Sequence, residues 1–407
     1  MFKSKWFISL ITIGMFATAC KRDKSPNPQP DPESTLPHIY IATEKNKDIN
    51  TKAEYINASI NIDGKTFYED YEGTTGIRGR GNSTWSFPKK PYKLKLDSKE
   101  PLFGLESYKT WILLAEYLDG TMLYNSIPFK AAEMLDIPYT NTIIPVELTI
   151  NNEYQGLYVF TEHKQVSSGR INLGNNGVLL ELDAYFDEDW QFKSDKFDLP
   201  VMVKYPKTEN MNASLFQEIK EDFEEFEALV YNASFPNNNY LDYFDDTAFV
   251  DYMIVYQLTA NREINHPKST YINKLENGKY RMGIIWDFDW AYGYEEGGTH
   301  YDLHTASYDL LYDNNSLPGT RFFSKIMEDP HIQELFKERW NWFRNNKYED
   351  LVGHVRDYSL IVRQAYKADH EKWGERNSSQ NADEDLQRVL SWLDARTHYI
   401  NTYVNSF

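Results

Sequence analysis

The rhythm of apolar and polar positions changes once along the chain. From residue 38 to 160 apolar residues mostly alternate with polar ones, the period of half-buried strands. Ser59-Ile60-Asn61-Ile62 alternates and runs into Asp63-Gly64, a hairpin signal, before Lys65-Thr66-Phe67. Residues 145–150 and 154–160 predict a second hairpin around Asn151-Asn152. Between the two, residues 121–135 carry a helical period with Pro128 as a kink or break. Beyond residue 204 the period becomes helical. Leu215, Ile219, Phe223, Phe226 and Val230 line one face, and Ser214 with Gln217 reads as a capping box. Residues 248–260 are more continuously apolar and predict a buried helix. Residues 269–275 and 279–286 predict a late hairpin turning at Asn277-Gly278, and the last hundred residues read as helical, including 332–343 and 386–403. The order predicts an α+β protein of two lobes, β-rich over 38–204 and mostly helical over 205–407.

The N-terminus reads differently. Lys3 and Lys5 precede an apolar run over residues 6–19, which predicts a signal peptide over 1–19. Phe16-Ala17-Thr18-Ala19-Cys20 resembles a bacterial lipobox, and Cys20 is the only cysteine, so it is the expected lipidation site. Residues 20–37 hold five prolines and few apolar side chains, a lipid-anchored extended tether. The folded body, from residue 38, is therefore expected in the cell envelope, outside the cytoplasm and membrane-associated through its lipid alone.

Composition narrows the chemistry. Aromatic residues make up 15% of the chain, enough to build a large core. Lys and Arg number 43 against 61 Asp and Glu, a formal net charge of −18, which argues against a nucleic-acid partner but not against a metal-bound nucleotide. With one cysteine assigned to lipid, thiol catalysis is excluded, and no Gly-x-Ser-x-Gly elbow offers a hydrolase nucleophile.

Three segments could carry chemistry. Gly76 to Trp85 holds glycines at 76, 79 and 81, which let backbone amides approach an anion, and leads into Tyr92-Lys93-Leu94-Lys95-Leu96. On a strand Lys93 and Lys95 share a face, either as a phosphate cradle or as edge lysines that block pairing. In Trp286-Asp287-Phe288-Asp289-Trp290 an extended backbone would aim both carboxylates one way and the three rings the other. Two such carboxylates repel unless they share a proton or a divalent metal. The third segment, Asn261 to Ser269, follows the buried helix and reads as a polar loop. His300 and His304 stand at i, i+4 without a zincin glutamate, a weak metal signal.

In order, these blocks resemble the CotH family of spore-coat protein H and its relatives. The resemblance rests on Arg80-Gly81-Asn82-Ser83-Thr84-Trp85 with Lys89-Lys90-Pro91-Tyr92-Lys93-Leu94-Lys95. It continues through Trp111-Ile112-Leu113-Leu114-Ala115 with Asp119 and Asn125, the 146–158 hairpin, Thr161-Glu162, and Trp286 to Trp290. It implies an atypical protein-kinase-like fold that uses ATP with Mg²⁺ (or Mn²⁺) to phosphorylate Ser or Thr of surface or envelope proteins. By that resemblance Lys93 or Lys95 pairs with phosphates, and Arg80 and Asn82 contact the nucleotide. Asp287 and Asp289 hold metal, Asp287 being also catalytic, and Glu263 stands where the family has its catalytic Asp. Ser269 occupies the position of a second metal-binding Asn, and Asn261 is retained. Two other readings stand beside this one: a non-catalytic surface protein binding glycans or protein partners, and an Asp-x-Asp glycosyltransferase.

Overall fold

The computed structural model describes residues 34–294, 299–311, 316–374 and 376–407. Cys20, the signal segment and all but the end of the tether lie outside them. Residues 34–407 form one compact unit.

Alternation builds the first half. β1 (His38–Thr43), β2 (Ile56–Asp63), β3 (Tyr71–Gly79), β4 (Tyr92–Glu100), β5 (Tyr108–Leu114), β6 (Ile144–Ile150) and β7 (Glu153–Glu162) close into a barrel in the order β1-β2-β3-β4-β5-β7-β6. All pairs are antiparallel except β1 with β6, where Ile39 faces Leu148 and Ile41 faces Ile150. Ile60, Leu94, Trp111, Val146 and Tyr158 are fully buried in the barrel core. Each such side chain contributes about 1.5–3 kcal/mol by leaving water. Lys93 and Lys95 alternate with Leu94 and Leu96, and so stand on the outer face. The hairpin at Asn151-Asn152 forms as predicted, both residues adopting positive φ (51° and 65°). The Asp63-Gly64 turn is wider than predicted. Asp63 Oδ1 accepts from the Lys65 amide and Asp70 Oδ1 from the Gly64 amide, so residues 64–70 form a loop rather than a strand.

The expected two-lobed, protein-kinase-like fold is not what the chain adopts, although it is α+β. Its N-terminal part is a closed seven-stranded barrel. A second, five-stranded sheet runs β12-β11-β8-β10-β9, from β8 (Val178–Leu182), β9 (Gln191–Lys193), β10 (Pro200–Tyr205), β11 (Thr270–Lys274) and β12 (Tyr280–Met282). That sheet takes strands from both sides of residue 204, where the lobes were expected to part. Its physical cause is the pairing of β11 with β8, Ile272 opposite Leu180 and Tyr271 opposite Glu181, which knits the late hairpin to the earlier strands.

Seven helices of the described residues pack around this sheet and the barrel: α1 (Ser126–Met134), α2 (Ala213–Tyr231), α3 (Asp246–Thr259), α4 (Pro318–Met327), α5 (Pro330–Asn346), α6 (Tyr348–Trp373) and α7 (Ala382–Val404). Pro128 lies in the first turn of α1, where its missing N–H costs nothing. The α2 cap is Asn212, accepting from the Leu215 amide at 3.0 Å, two residues before the predicted capping box. α3 is buried on all sides, as apolar residues around most of its circumference require. Among the described residues no helix is long and apolar enough to cross a membrane.

One buried ion pair ties the barrel to the helices. Lys89 Nζ meets Asp369 of α6 at 2.6 Å with both side chains fully buried, and Asp369 also accepts from the Leu157 amide (2.7 Å) and from Arg376. Lys89, beside the candidate phosphate lysines in sequence, is spent on this junction.

Candidate functional site

A cleft of about 960 Å³ opens between the outer face of β4, the five-stranded sheet and the loops after α3 and β12. This is the size of a ligand site. Arg80, Asn82, Lys93, Lys95, Glu263, Ser269, Asp287 and Asp289 all line it. The three sequence segments singled out above therefore meet in one place.

One wall is cationic. Lys93 Nζ donates to His163 Nε2 at 3.0 Å and makes no ion pair with a described carboxylate. Burial, with Arg78, Arg80, Lys95 and Lys204 nearby, brings its ammonium from 10.5 down to about 8. Burial, then Lys93, Lys164, Arg170 and Arg80, push His163 down to about 2, so its imidazole is neutral and Nε2 accepts. Lys95 is the more exposed of the two lysines, its ammonium 5.8 Å from the centre of the Tyr55 ring. Lys164 is held to about 8, chiefly by burial, and lies over Tyr271 (4.3 Å) and Trp286 (4.5 Å). Arg80 stacks on the same Trp286 at 5.8 Å, and burial lowers its pKa against the pull of Asp287 and Asp289.

The floor is set by strand register. Leu179, Glu181 and Asp183 alternate along and just past β8 and all line the cleft. Leu179 lies opposite Tyr205, and Glu181 opposite Met202 and Tyr271, so the floor grades from apolar to acidic. Burial works to raise Glu181, but Lys164 and Lys204 outweigh it and keep its carboxyl below the usual range. Lys204 pairs with Glu181 at 3.1 Å and with Glu188.

The far end is acidic. Asp287 is not on a strand: its φ of 63° is left-handed, and β12 has already ended at Met282. The expected alternation of carboxylates and rings fails for that reason. Trp286, Phe288 and Trp290 line the same cleft as the two aspartates, Phe288 from a fully buried position. The polar loop after α3 supports this turn. Asn261 Nδ2 donates to the Asp287 carbonyl (2.8 Å), and its Oδ1 accepts from the Glu263 amide (3.3 Å). Ser269 Oγ donates to Asp287 Oδ2 (3.3 Å), and its amide donates to Asp183 (3.0 Å). Tyr124 OH donates to Asp289 Oδ1 at 2.7 Å. Burial, with Asp287 beside it, lifts Asp289 to about 7. Glu263 is buried, and its Oε2 has no hydrogen-bond partner. Burial, then Asp287 and Asp289, push its carboxyl well up, with Lys268 opposing.

Among the described residues no group of three or more His, Cys, Asp or Glu is arranged to hold a metal. The donor set still suits Mg²⁺, which binds through one or two carboxylates and takes its other positions from phosphate and water. Asp287, Asp289 and the Ser269 hydroxyl supply such hard oxygens, and a cation between them would relieve the repulsion that lifts Asp289. His300 and His304 do not meet: His300 is buried behind Asp289, whereas His304 is exposed against Asp302.

The glycines have narrower roles than an anion cradle. A Cβ on Gly79 would lie 2.3 Å from the Trp85 ring, and one on Gly76 3.0 Å from Tyr55, so ring packing accounts for both. Gly81, at φ 83°, makes the left-handed turn at the cleft lip. Sequence reasoning missed Tyr124, Lys164, Glu181, Lys204 and Lys268. Glu181 alone left a local signal, a charge inside the apolar run over 178–182.

No similar sequence is found among curated proteins. The family model described as CotH kinase protein matches residues 77–400, from the β3 strand beneath the Gly-rich lip to the last turns of α7, and takes in every wall of the cleft. The chain belongs to the CotH family.

Proposed function

We propose that the protein is a CotH-type phosphotransferase that binds ATP with Mg²⁺ or Mn²⁺ in the cleft and passes the terminal phosphoryl group to a Ser or Thr hydroxyl of an envelope protein. One observation carries this reading: two cations without carboxylate partners (Lys93, Lys95) and a crowded carboxylate pair (Asp287, Asp289) line the same cleft. A polyphosphate with a divalent cation neutralises both ends at once. Lys93 is the better phosphate partner of the two β4 lysines, being the more buried and held against neutral His163.

In the reaction the acceptor oxygen attacks the terminal phosphorus and the bond to the bridging oxygen breaks, leaving a nucleoside diphosphate. The hydroxyl proton passes to Glu263, whose Oε2 is free of other partners. Asp287 and Asp289 would hold the divalent cation, which would neutralise charge on the phosphate oxygens. Arg80 and Lys164, stacked on Trp286, hold positive charge beside the same group. Cys20 would tether this body to the membrane.

The raised pKa of Glu263 favours a second reading, a nucleotide-binding protein without transfer, because a protonated carboxyl cannot accept the hydroxyl proton. A glycosyltransferase is disfavoured, since neither the barrel nor the antiparallel sheet provides the βαβ units that cradle nucleotide-sugar diphosphates. Incubation with γ-labelled ATP and Mn²⁺ separates the readings. Transfer to protein hydroxyls that falls roughly 10²–10⁴-fold in Glu263→Gln, with nucleotide binding intact, supports the kinase. Tight cation-dependent binding without transfer in the parent supports the binding protein. Binding indifferent to the cation and to Asp287→Asn refutes both.

A further inference from the structure

Asp289 is gripped from two sides by residues with no part in the reaction above. Tyr124 OH donates to its Oδ1 at 2.7 Å, and His300 Nε2 donates to its backbone carbonyl at 2.9 Å. The two rings stack on each other, centroids 5.6 Å apart and planes 24° from parallel, and His300 also stacks on Tyr294. Both are almost completely buried.

Tyr124 is itself fixed at every backbone group available to it. Its amide donates to Asp119 Oδ2 (2.7 Å) and its carbonyl accepts from Tyr292 OH (2.6 Å). Asp119, with no exposed surface, also accepts from the Thr121 amide (2.8 Å), the Thr121 hydroxyl (2.5 Å) and the Leu123 amide (2.6 Å). The loop is thus wound around one carboxylate, with Met122 left-handed at φ 62°. A buried carboxylate satisfied by backbone amides is a stiff anchor, because opening the loop would strand its charge.

We infer that Tyr124 is a positioning residue for the cation: with His300 it clamps Asp289 so that Oδ1 is occupied and Oδ2 is presented to the metal. The inference rests on reading Asp287 and Asp289 as the cation site. A hydrogen bond of this kind orients a ligating carboxylate, and its loss typically weakens metal binding 10- to 100-fold. The loop at 119–125 thereby sets the geometry of a site some 165 residues further along the chain.

The test titrates the full chain with Mn²⁺ alone, followed by the paramagnetic resonance of free Mn²⁺, with no nucleotide present. Tyr124→Phe keeps the stacked ring and removes only the hydroxyl, and should bind Mn²⁺ roughly 10- to 100-fold more weakly while still folding cooperatively, its urea midpoint lowered by no more than the loss of one buried hydrogen bond. In an Asp289→Asn background the same substitution should add no further loss, an outcome that a merely structural role would not produce. Should Tyr124→Phe fail to fold, His300→Phe carries the same cycle. Parental Mn²⁺ affinity in Tyr124→Phe, or equal losses in both backgrounds, overturns the clamp while leaving the cation site standing if Asp287→Asn and Asp289→Asn still lose Mn²⁺. If those two bind Mn²⁺ as the parent does, the cation reading fails and the clamp falls with it.

Discussion

Replacing Lys93 by Met keeps the length of the side chain and removes its charge, and the structure gives opposite expectations for stability and for binding. The fall of the Lys93 pKa from 10.5 to about 8 corresponds to about 3 kcal/mol against the charged ammonium in the folded state. Losing the hydrogen bond to His163 returns about 1 kcal/mol, so Lys93→Met should stabilise the ligand-free protein by about 2 kcal/mol at pH 7. The sign follows from linkage. A lysine whose folded pKa is lowered destabilises the fold below that pKa, and the penalty is relieved as pH rises through about 8 towards 10.5. By pH 10 the charge penalty in the parent should have shrunk to about 1 kcal/mol, and the advantage of the variant should have vanished. Urea unfolding at pH 7 and pH 10, followed by tryptophan fluorescence, measures both numbers. Calorimetric titration with ATP and Mg²⁺ should show at least tenfold weaker binding by the variant. In the parent, affinity should fall as pH passes above 8 and the phosphate-facing lysines lose their protons. A variant no more stable than the parent at pH 7, with the same pH dependence, would refute the idea that Lys93 is a strained cation held for an anion.

Other expectations are more direct. Lys89→Met leaves Asp369 buried with only Arg376 and the Leu157 amide, and should cost roughly 3–5 kcal/mol in urea unfolding, far more than Lys95→Met on the exposed face. Asp287→Asn, which retains its carbonyl contact to Asn261, should abolish cation-dependent nucleotide binding with the unfolding midpoint preserved. Cys20→Ala should either release the protein from membranes in cell fractionation or leave it uncleaved; membrane association and processing both unchanged would end the lipoprotein reading.

Local pattern carried much of this protein. Ile60 and Leu94 announce the inner face of a sheet because a pleated strand sends alternate side chains to opposite sides. Asn151-Asn152 announces its turn because both residues tolerate positive φ, and the largely apolar stretch of α3, too long for a strand, announces a buried helix. Arg80, Lys93, Asp287 and Asp289 were legible as candidates for a similar reason: charges placed inside apolar or glycine-rich segments stand out without any knowledge of the fold. Glu263, in a polar loop, stood out only through the family resemblance. What the sequence could not show is which faces meet. The closure of β1 on β6 and the pairing of β11 with β8 join segments about a hundred residues apart, and no period within either segment encodes the partner. The left-handed turn at Asp287 depends on Asn261 and Ser269 arriving from the α3 loop, so a pattern read as extended strand bends instead. Lys89 and Lys93 look alike in sequence. Only the docking of α6 makes one the partner of Asp369 in a dry junction and leaves the other facing an open cleft, because the cost of burying a charge is decided by what lies across from it.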